Sequence, residues 1–243
     1  MCIRDSSGAE AVEGAIKTAR KFAYENISKK KNGIVSFSNG FHGRTMMAIA
    51  LNGSDRFVKG FGPMPGGIKN HPFNETKNLE KAITKNTAAV IIELVQGEAG
   101  IIKAKKDFIQ KIKKLCKENN VLIIVDEVQS GAGRTGTLFA YEQFGVKPDI
   151  MCCAKGIGGG IPIAAVLTTT KIAKSMEIGS HGTTFGGNPL ACAVAEKVMT
   201  LLTKKMLLNG VKKKEKIFLR GFQSINKDHQ CFSAIRSSGL WIG

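Results

Sequence analysis

The sequence predicts an α/β protein whose sheet is mostly parallel, with helices on both faces. Three observations predict this class. Short apolar runs alternate along the chain with longer amphipathic stretches, as they do in doubly wound sheets. The apolar runs are nearly continuous, which is typical of strands covered on both faces. A chain of 243 residues that is 43% hydrophobic and 23% charged can also form a substantial core.

The predicted elements follow this alternation from the first helix onward. Ser7 and Glu10 fit the S-x-x-E capping box, so the first helix is predicted over residues 9–26. Strands are predicted over residues 34–37, 88–92, 121–125, 150–154 and 163–168. Further helices are predicted over residues 76–85, 107–119 and 190–204, with another around the lysines at 212–216. Residues 52–70 are rich in Gly and Pro and are predicted to form a long loop, which is often functional.

The net charge of +17 is a lysine excess, concentrated at residues 29–31, 103–117 and 212–216. One interpretation is a nucleic-acid-binding surface. The other is a solvated, lysine-rich surface, which we favour because no aromatic residues are interleaved with the basic runs. We therefore expect no nucleic-acid partner. No apolar run approaches the roughly 18 residues of a membrane helix, so no membrane association is expected.

The six cysteines form no C-x-x-C pair, and two of them are adjacent. This pattern suits neither a disulfide framework nor a zinc site. It favours reduced, buried cysteines in a cytoplasmic protein and predicts no bound metal.

Two strand ends carry unusual residues at the edge of the sheet where open α/β sheets bind ligands. The predicted strand 121–125 ends in Asp126, and the strand 150–154 ends in Lys155, followed by a glycine-rich stretch. A desolvated lysine has the lowered pKa that a Schiff-base lysine requires. The alternative is a lysine that extends from a loop into solvent. Asp126 could cap a turn, or bind a ribose, a metal or a protonated ring nitrogen.

The start of the first helix is a possible phosphate site. The backbone amides of Gly8 and Ala9 lie there, with no large side chain in the way. The sequence has neither a G-K-[ST] phosphate loop nor a dinucleotide fingerprint. A phosphate site, a carboxylate for a ring nitrogen and a lysine for an aldehyde are the three contacts that pyridoxal phosphate needs.

The order and spacing of six segments closely resemble the class III, fold type I aminotransferases, with the acetylornithine type most similar. The segments are Ser-Gly-Ala-Glu-Ala at 7–11, Gly-Phe-His-Gly-Arg-Thr at 40–45, Val-Gln-Gly-Glu-Ala-Gly at 95–100, Asp-Glu-Val-Gln-Ser-Gly-Ala-Gly-Arg-Thr-Gly at 126–136, Ala-Lys-Gly-Ile-Gly-Gly-Gly-Ile-Pro at 154–162 and His-Gly-Thr-Thr-Phe-Gly-Gly-Asn-Pro-Leu-Ala at 181–191. This resemblance implies a pyridoxal-phosphate enzyme that transfers the terminal amino group of N-acetylornithine to the 2-oxo acid 2-oxoglutarate in arginine biosynthesis. Ornithine and 4-aminobutyrate are the alternative donors.

The resemblance also implies roles for individual residues. Lys155 would bind the cofactor aldehyde and move the substrate proton, and Asp126 would keep the ring nitrogen protonated. The remaining residues assigned to the cofactor by the resemblance are Gly8 and Ala9 at the phosphate, Phe41 and Val128 on the ring faces, Gln129 at the ring hydroxyl, Glu127 within the same motif, and Thr184 at the phosphate of the neighbouring subunit in a homodimer.

Three residues match substrate-binding positions of the family. Arg44 would bind a substrate carboxylate through its planar fork. Thr183 would contact the substrate, and Glu98 would pair with an arginine that this chain does not contain. His42 is interpreted as structural rather than catalytic. Leu94 stands where family members have proline, which removes no catalytic group.

The resemblance divides the chain into three parts. Residues 1–6 are a tail that does not match, 7–205 form the large cofactor-binding domain, and 206–243 begin a truncated small C-terminal domain. Residues 238–243 look like the start of a new strand, and residues 1–6 are assigned no element. We therefore expect a fragment with an incomplete substrate pocket that is nearly inactive by itself.

Overall fold

The computed structural model describes residues 2–243, with side chains from Arg4 onward. Within that range the strands are β1 Cys2–Asp5, β2 Gly33–Phe37, β3 Ile68–His71, β4 Thr87–Ile92, β5 Val95–Gln96, β6 Ile102–Lys103, β7 Leu122–Asp126, β8 Ile150–Cys153 and β9 Ala164–Thr168. The helices are α1 Gly8–Asn26, α2 Met46–Leu51, α3 Asp55–Val58, α4 Leu79–Ala82, α5 Lys106–Asn119, α6 Thr170–Ala173, α7 Pro189–Leu202 and α8 Lys205–His229.

The centre of the fold is a seven-stranded sheet in the order β1-β9-β8-β7-β4-β2-β3. The pairs from β8 to β3 are parallel, whereas β9 is antiparallel to both β8 and β1. Strands β5 and β6 form a separate antiparallel pair. The predicted fold class, a mostly parallel sheet with helices, is therefore confirmed.

Helices cover both faces of the sheet because successive strand residues point to opposite sides. On one face, Ala89 and Ile91 pack with α1, whose buried positions are mostly small residues that allow a close approach. On the other face, Val90 and Ile92 pack with Phe108 of α5. All six residues of β4 are buried, which explains the continuous apolar run over residues 88–92.

The structure corrects four predicted elements. The helix predicted over 76–85 is only the four residues of α4, because Asn78 before it has a left-handed backbone and Ile83 after it is extended. The loop predicted over 52–70 contains α3 and leads into β3. Strand β3 is a short edge strand with an Ile-Lys-Asn-His sequence, so it lacks the apolar pattern that would predict a strand.

The N-terminal segment is the third correction, since residues 2–5 form a strand rather than an element-free tail. Asp5 is fully buried, and its carboxylate lies 2.9 Å from Nε2 of His181. A four-residue edge strand that ends in Arg4 and Asp5 carries no apolar signal. Met1 lies outside the described residues, and the division of the chain at residue 205 stays a prediction.

The C-terminal residues do not extend the sheet. Residues 238–243 fold back as a turn with a single antiparallel bridge between Ser237 and Ile242. The amide of Leu240 donates to the carbonyl of Arg134 at 3.0 Å. The lysines at 212–216 lie on α8, as predicted. No helix formed by residues 2–243 combines the length and apolar character needed to cross a bilayer.

Candidate active site

A cavity of about 370 Å³ lies where the carboxyl ends of β7 and β8 meet the N-terminus of α1. This is the edge at which open α/β sheets bind ligands. The cavity is lined by Ser6, Ser7, Gly8, Ala9, Phe41, His42, Gly43, Asp126, Val128, Ala154, Lys155, Gly160, Ile161, Pro162 and Ile163. The two strand-end residues singled out in the sequence therefore share one cavity, because the register pairs Asp126 with Cys152, three residues before Lys155.

Lys155 begins a short 3-10 turn directly after β8. Its backbone is left-handed, with φ of 48°, which costs a residue with a Cβ about 1–2 kcal/mol. Backbone strain of this kind clusters at functional sites. Desolvation lowers the pKa of the Lys155 amine, and the charges of Asp126, Glu93 and Glu98 oppose that change without cancelling it. The amine is therefore easier to deprotonate than an ordinary lysine, as a nucleophile requires.

Asp126 is buried and held by two contacts. Its Oδ1 accepts a hydrogen bond from the amide of Val128 at 3.0 Å, and its Oδ2 lies 2.8 Å from Nδ1 of His42. Burial lowers the pKa of His42, but the hydrogen bond to Asp126 and the charges of Asp126 and Glu93 outweigh it, so the net direction is upward. His42 therefore holds the Asp126 carboxyl group from outside the reacting atoms.

The N-terminus of α1 is built around a complete capping box. The Ser7 side chain accepts from the amide of Glu10, and Oε2 of Glu10 accepts from the amides of Ser6 and Ser7 at 2.6 and 3.1 Å. The exposed amides of Gly8 and Ala9 follow at the positive end of the helix dipole. This arrangement binds anions.

Two further observations fit these residues to pyridoxal phosphate. A Cβ on Gly8 would lie 2.6 Å from Cγ1 of Val128, so only glycine fits where the N-terminus of α1 meets the residues after β7. The Nε2 of Gln129 is buried with no hydrogen-bond partner among the described residues, although Gln129 is not one of the residues that line the cavity. A ring hydroxyl would satisfy that donor.

The structure does not bring every predicted site residue to the cavity. Both carboxylate oxygens of Glu127 are occupied, by the Ser130 hydroxyl and by the amides of Ala140 and Tyr141. Glu127 therefore fixes the loop after β7 instead of lining the cavity, because strand alternation turns it to the face opposite Asp126. Its assignment to the cofactor is corrected accordingly.

The residues predicted to bind substrate lie around the cavity rather than in its wall. The guanidinium of Arg44 is exposed and stacks over Phe57 at 4.7 Å and over Phe41 at 5.4 Å. Thr183 lies over α1, where its hydroxyl donates to Oε1 of Glu10 at 3.4 Å. Glu98 is exposed, and its charge acts on Lys155.

Thr184 is exposed and lies outside the cavity of this chain. That position leaves the Thr184 side chain accessible to another chain. No group of three or more His, Cys, Asp or Glu side chains within the described part of the chain could hold a metal ion.

One buried residue beside the cavity was not predicted. Glu93 follows β4 directly, and its Oε2 accepts a hydrogen bond from the amide of Phe41 at 2.7 Å. Burial raises its pKa to about 8. The signal was available, since a carboxylate directly after a fully apolar strand is the same pattern that singled out Asp126.

The fold and the cavity together define an α/β protein of the pyridoxal-phosphate transferase class. The chain belongs to the class III aminotransferase family, whose model, Aminotransferase class-III, matches residues 2–243. It is 48% identical over 244 residues to a succinylornithine transaminase of Yersinia pseudotuberculosis, covering 98% of this chain and 59% of that protein.

Solved structures agree with this membership. An N-acetylornithine aminotransferase from Stenotrophomonas maltophilia matches with a TM-score of 0.81 and 36% identity, covering 99% of this chain and 58% of that one. An ornithine aminotransferase from Toxoplasma gondii, with PLP partially occupying its active site, matches with a TM-score of 0.88 and 34% identity over 98% of this chain and 58% of that one. The chain therefore spans less than two thirds of the length of these relatives.

Proposed function

We propose that this chain carries the cofactor-binding part of a pyridoxal-phosphate-dependent aminotransferase. The observation that carries the proposal is that Lys155 and Asp126, on adjacent parallel strands, line one cavity with the N-terminus of α1. Membership of the class III family supports the same reading. Because the chain spans about 59% of its relative's length, the activity is proposed for the complete protein.

Bound pyridoxal phosphate supplies an electron sink that makes a proton on the substrate carbon removable. Lys155 would provide the amine that holds the cofactor aldehyde, and the same amine would serve as the base that moves the substrate proton. The Val128 amide and the His42 ring hold the Asp126 carboxyl group in position. A pair of unit charges at about 4 Å and an effective dielectric near 20 is worth roughly 4 kcal/mol. That energy corresponds to about three pKa units, enough to keep a ring nitrogen protonated at neutral pH.

The amine donor we propose is an N-acylated ornithine, N-acetylornithine first, with 2-oxoglutarate as the acceptor in arginine biosynthesis. Arg44 supports this because it has no carboxylate partner among the described side chains, and stacking on Phe41 and Phe57 preorganises its fork for an α-carboxylate. Similarity to succinylornithine and N-acetylornithine enzymes supports the same donor class. Ornithine and 4-aminobutyrate remain the competing donors.

We also propose that the enzyme is a cytoplasmic homodimer whose active site is shared between subunits. The surface around Thr184 supports self-association, because Ile178, Phe185 and Leu190 are at least two-thirds exposed there. Large apolar side chains exposed together mark interaction surfaces. In this arrangement Thr184 reaches the phosphate of the other subunit's cofactor.

Donor competition on the complete enzyme tests the proposal. The loaded enzyme is mixed with 2-oxoglutarate and equal amounts of N-acetylornithine, N-succinylornithine, ornithine and 4-aminobutyrate, and glutamate and the remaining donors are measured by mass spectrometry. We expect an N-acylated ornithine to be consumed first and a Lys155→Ala control to form no glutamate. Preferential use of ornithine would overturn the donor, and no glutamate from any donor would overturn the class. The 243-residue chain alone is expected to be nearly inactive.

A further inference from the structure

Three titratable groups lie side by side at the cavity, and two of them, Asp126 and His42, form part of its wall. Asp126 ends β7, and Glu93 follows the last residue of the neighbouring parallel strand β4. The register pairs Ile92 with Val125, so Glu93 and Asp126 occupy the next step of the same two strands. His42 lies against Asp126, with 2.8 Å between its Nδ1 and the carboxylate. All three side chains are buried.

Glu93 is joined to the cavity wall through the loop after β2. Its Oε2 accepts from the amide of Phe41, and the amide of His42 donates to Oδ1 of Asn52 at 2.7 Å. A Cβ on Gly40 would lie 3.3 Å from Nε2 of His42 and 3.4 Å from Oε2 of Glu93, so both groups pack against the same glycine. Glu93 therefore fixes the backbone that presents Phe41 and His42.

We propose that Glu93 is a positioning residue, which holds the Phe41–His42 backbone and, as a neutral acid, adds no second negative charge beside Asp126. The electrostatic part of this inference rests on the proposed function, in which Asp126 faces a ring nitrogen. A second carboxylate charge beside Asp126 would add like-charge repulsion in a buried site. It would also stabilise the ammonium form of Lys155, which catalysis needs to deprotonate.

The surroundings of Glu93 agree with a neutral state at pH 7. Burial raises its pKa to about 8, with a further upward effect from the charge of Asp126. The charges of His42 and Lys155 and the hydrogen bond from Phe41 act in the opposite direction. These are the charged groups that face Glu93, from the loop after β2, from β7 and from the turn after β8.

The test is an NMR titration of the His42 ring in the cofactor-free protein, with Glu93→Gln as the variant. The amide of the variant keeps an acceptor for Phe41 but cannot ionise. In the unmodified protein we expect the His42 signals to shift near pH 8 as Glu93 ionises. In the variant that shift disappears, while the thermal unfolding midpoint at pH 4, below the ordinary pKa of a glutamate, stays the same. His42 signals that titrate identically in both proteins would overturn the inference.

Asp149→Asn is the matched control. Asp149 is a half-buried carboxyl group whose pKa is raised by burial, and its Oδ2 accepts from the backbone amide of Ile123 at 2.8 Å. It lies at the opposite end of the parallel strands. This variant should leave the His42 titration unchanged, and an equal effect would count against a local role for Glu93. If Glu93→Gln does not fold, ¹³C NMR of labelled glutamate in the unmodified protein decides, since an ionised Glu93 at pH 6 contradicts the inference.

The same samples separate this inference from the proposed function. Pyridoxal phosphate affinity is measured on the unmodified protein by absorption titration. If the unmodified protein binds no cofactor, the proposed function fails whatever His42 does. If the cofactor binds but the His42 titration is the same in the unmodified protein and in Glu93→Gln, only the proposed role of Glu93 fails.

Discussion

Gly43→Ala is expected to destabilise the cofactor-free protein strongly, because two independent constraints meet at that residue. Gly43 lies between His42 and Arg44 in the cavity wall, with φ of 126°. Residues with a Cβ rarely adopt that backbone conformation. A Cβ there would also lie 2.7 Å from the Cβ of Ala9 and 3.2 Å from the Cβ of Ala48. The loop after β2 and the first turn of α1 can therefore approach closely only at glycine.

The magnitude follows from these two constraints. Holding a residue with a Cβ in a sparsely populated backbone region costs about 1–3 kcal/mol. Overpacking a rigid contact costs about 1–3 kcal/mol more. The expected loss in unfolding free energy is therefore roughly 2–6 kcal/mol, a large part of the roughly 5–15 kcal/mol that stabilises a typical domain.

The assay is urea unfolding of Gly43→Ala and of a matched control, Gly60→Ala, at pH 7. Gly60 also has a positive φ, of 85°, but a Cβ there would meet nothing within 4 Å. The control therefore carries the backbone cost without the clash. We expect the midpoint of Gly43→Ala to fall clearly below that of Gly60→Ala with a similar slope. Equal midpoints for the two variants would refute the claimed close packing of the loop against α1.

Three further outcomes follow from the site. Asp126→Asn should lower kcat of the complete loaded enzyme about 1000-fold, in line with the roughly 4 kcal/mol assigned to its charge; a loss under tenfold in steady-state assays would contradict that role. Arg44→Lys should raise KM for the amine donor about tenfold with a smaller change in kcat, because lysine lacks the two-pronged contact. The pH dependence of stability tests Glu93. Because burial raises its pKa above the ordinary value of 4.5, the stabilisation that neutral Glu93 gives the folded protein is complete below pH 4.5 and is lost as the pH rises through about 8. Unfolding of the cofactor-free protein should therefore show less loss of stability over this interval in Glu93→Gln, and parallel pH profiles would count against the buried carboxyl.

Much of the fold was predictable because its strands are buried on both faces. The runs at β4 and β7 are apolar throughout, so they are recognisable without any partner. The edge strands β1 and β3 were missed because a short strand with one paired edge needs few apolar residues. Strand β1 is held instead by pairing with β9 and by the contact between Asp5 and His181, which lie far apart in the sequence.

The site was predictable where chemistry coincides with a strand end. Asp126 and Lys155 were found because a charged residue directly after a buried strand needs a reason to be there, and the structure places both in one cavity. Glu93 shows the same local pattern, but its partner Phe41 lies in a loop whose path the sequence does not reveal. Glu127 was misassigned because it is the sequence neighbour of Asp126 in the family motif. Successive side chains of a strand point to opposite faces, so the Glu127 side chain points away from the cavity.

Borohydride trapping tests the central claim most directly. The cofactor-free protein is incubated with pyridoxal phosphate, reduced, digested and mapped by mass spectrometry, with Lys155→Arg as the control. We predict a label on Lys155 alone at limiting cofactor, and none in the control, even though the chain is rich in other lysines. A label spread over surface lysines, or one that persists in Lys155→Arg, would contradict the assignment of this cavity.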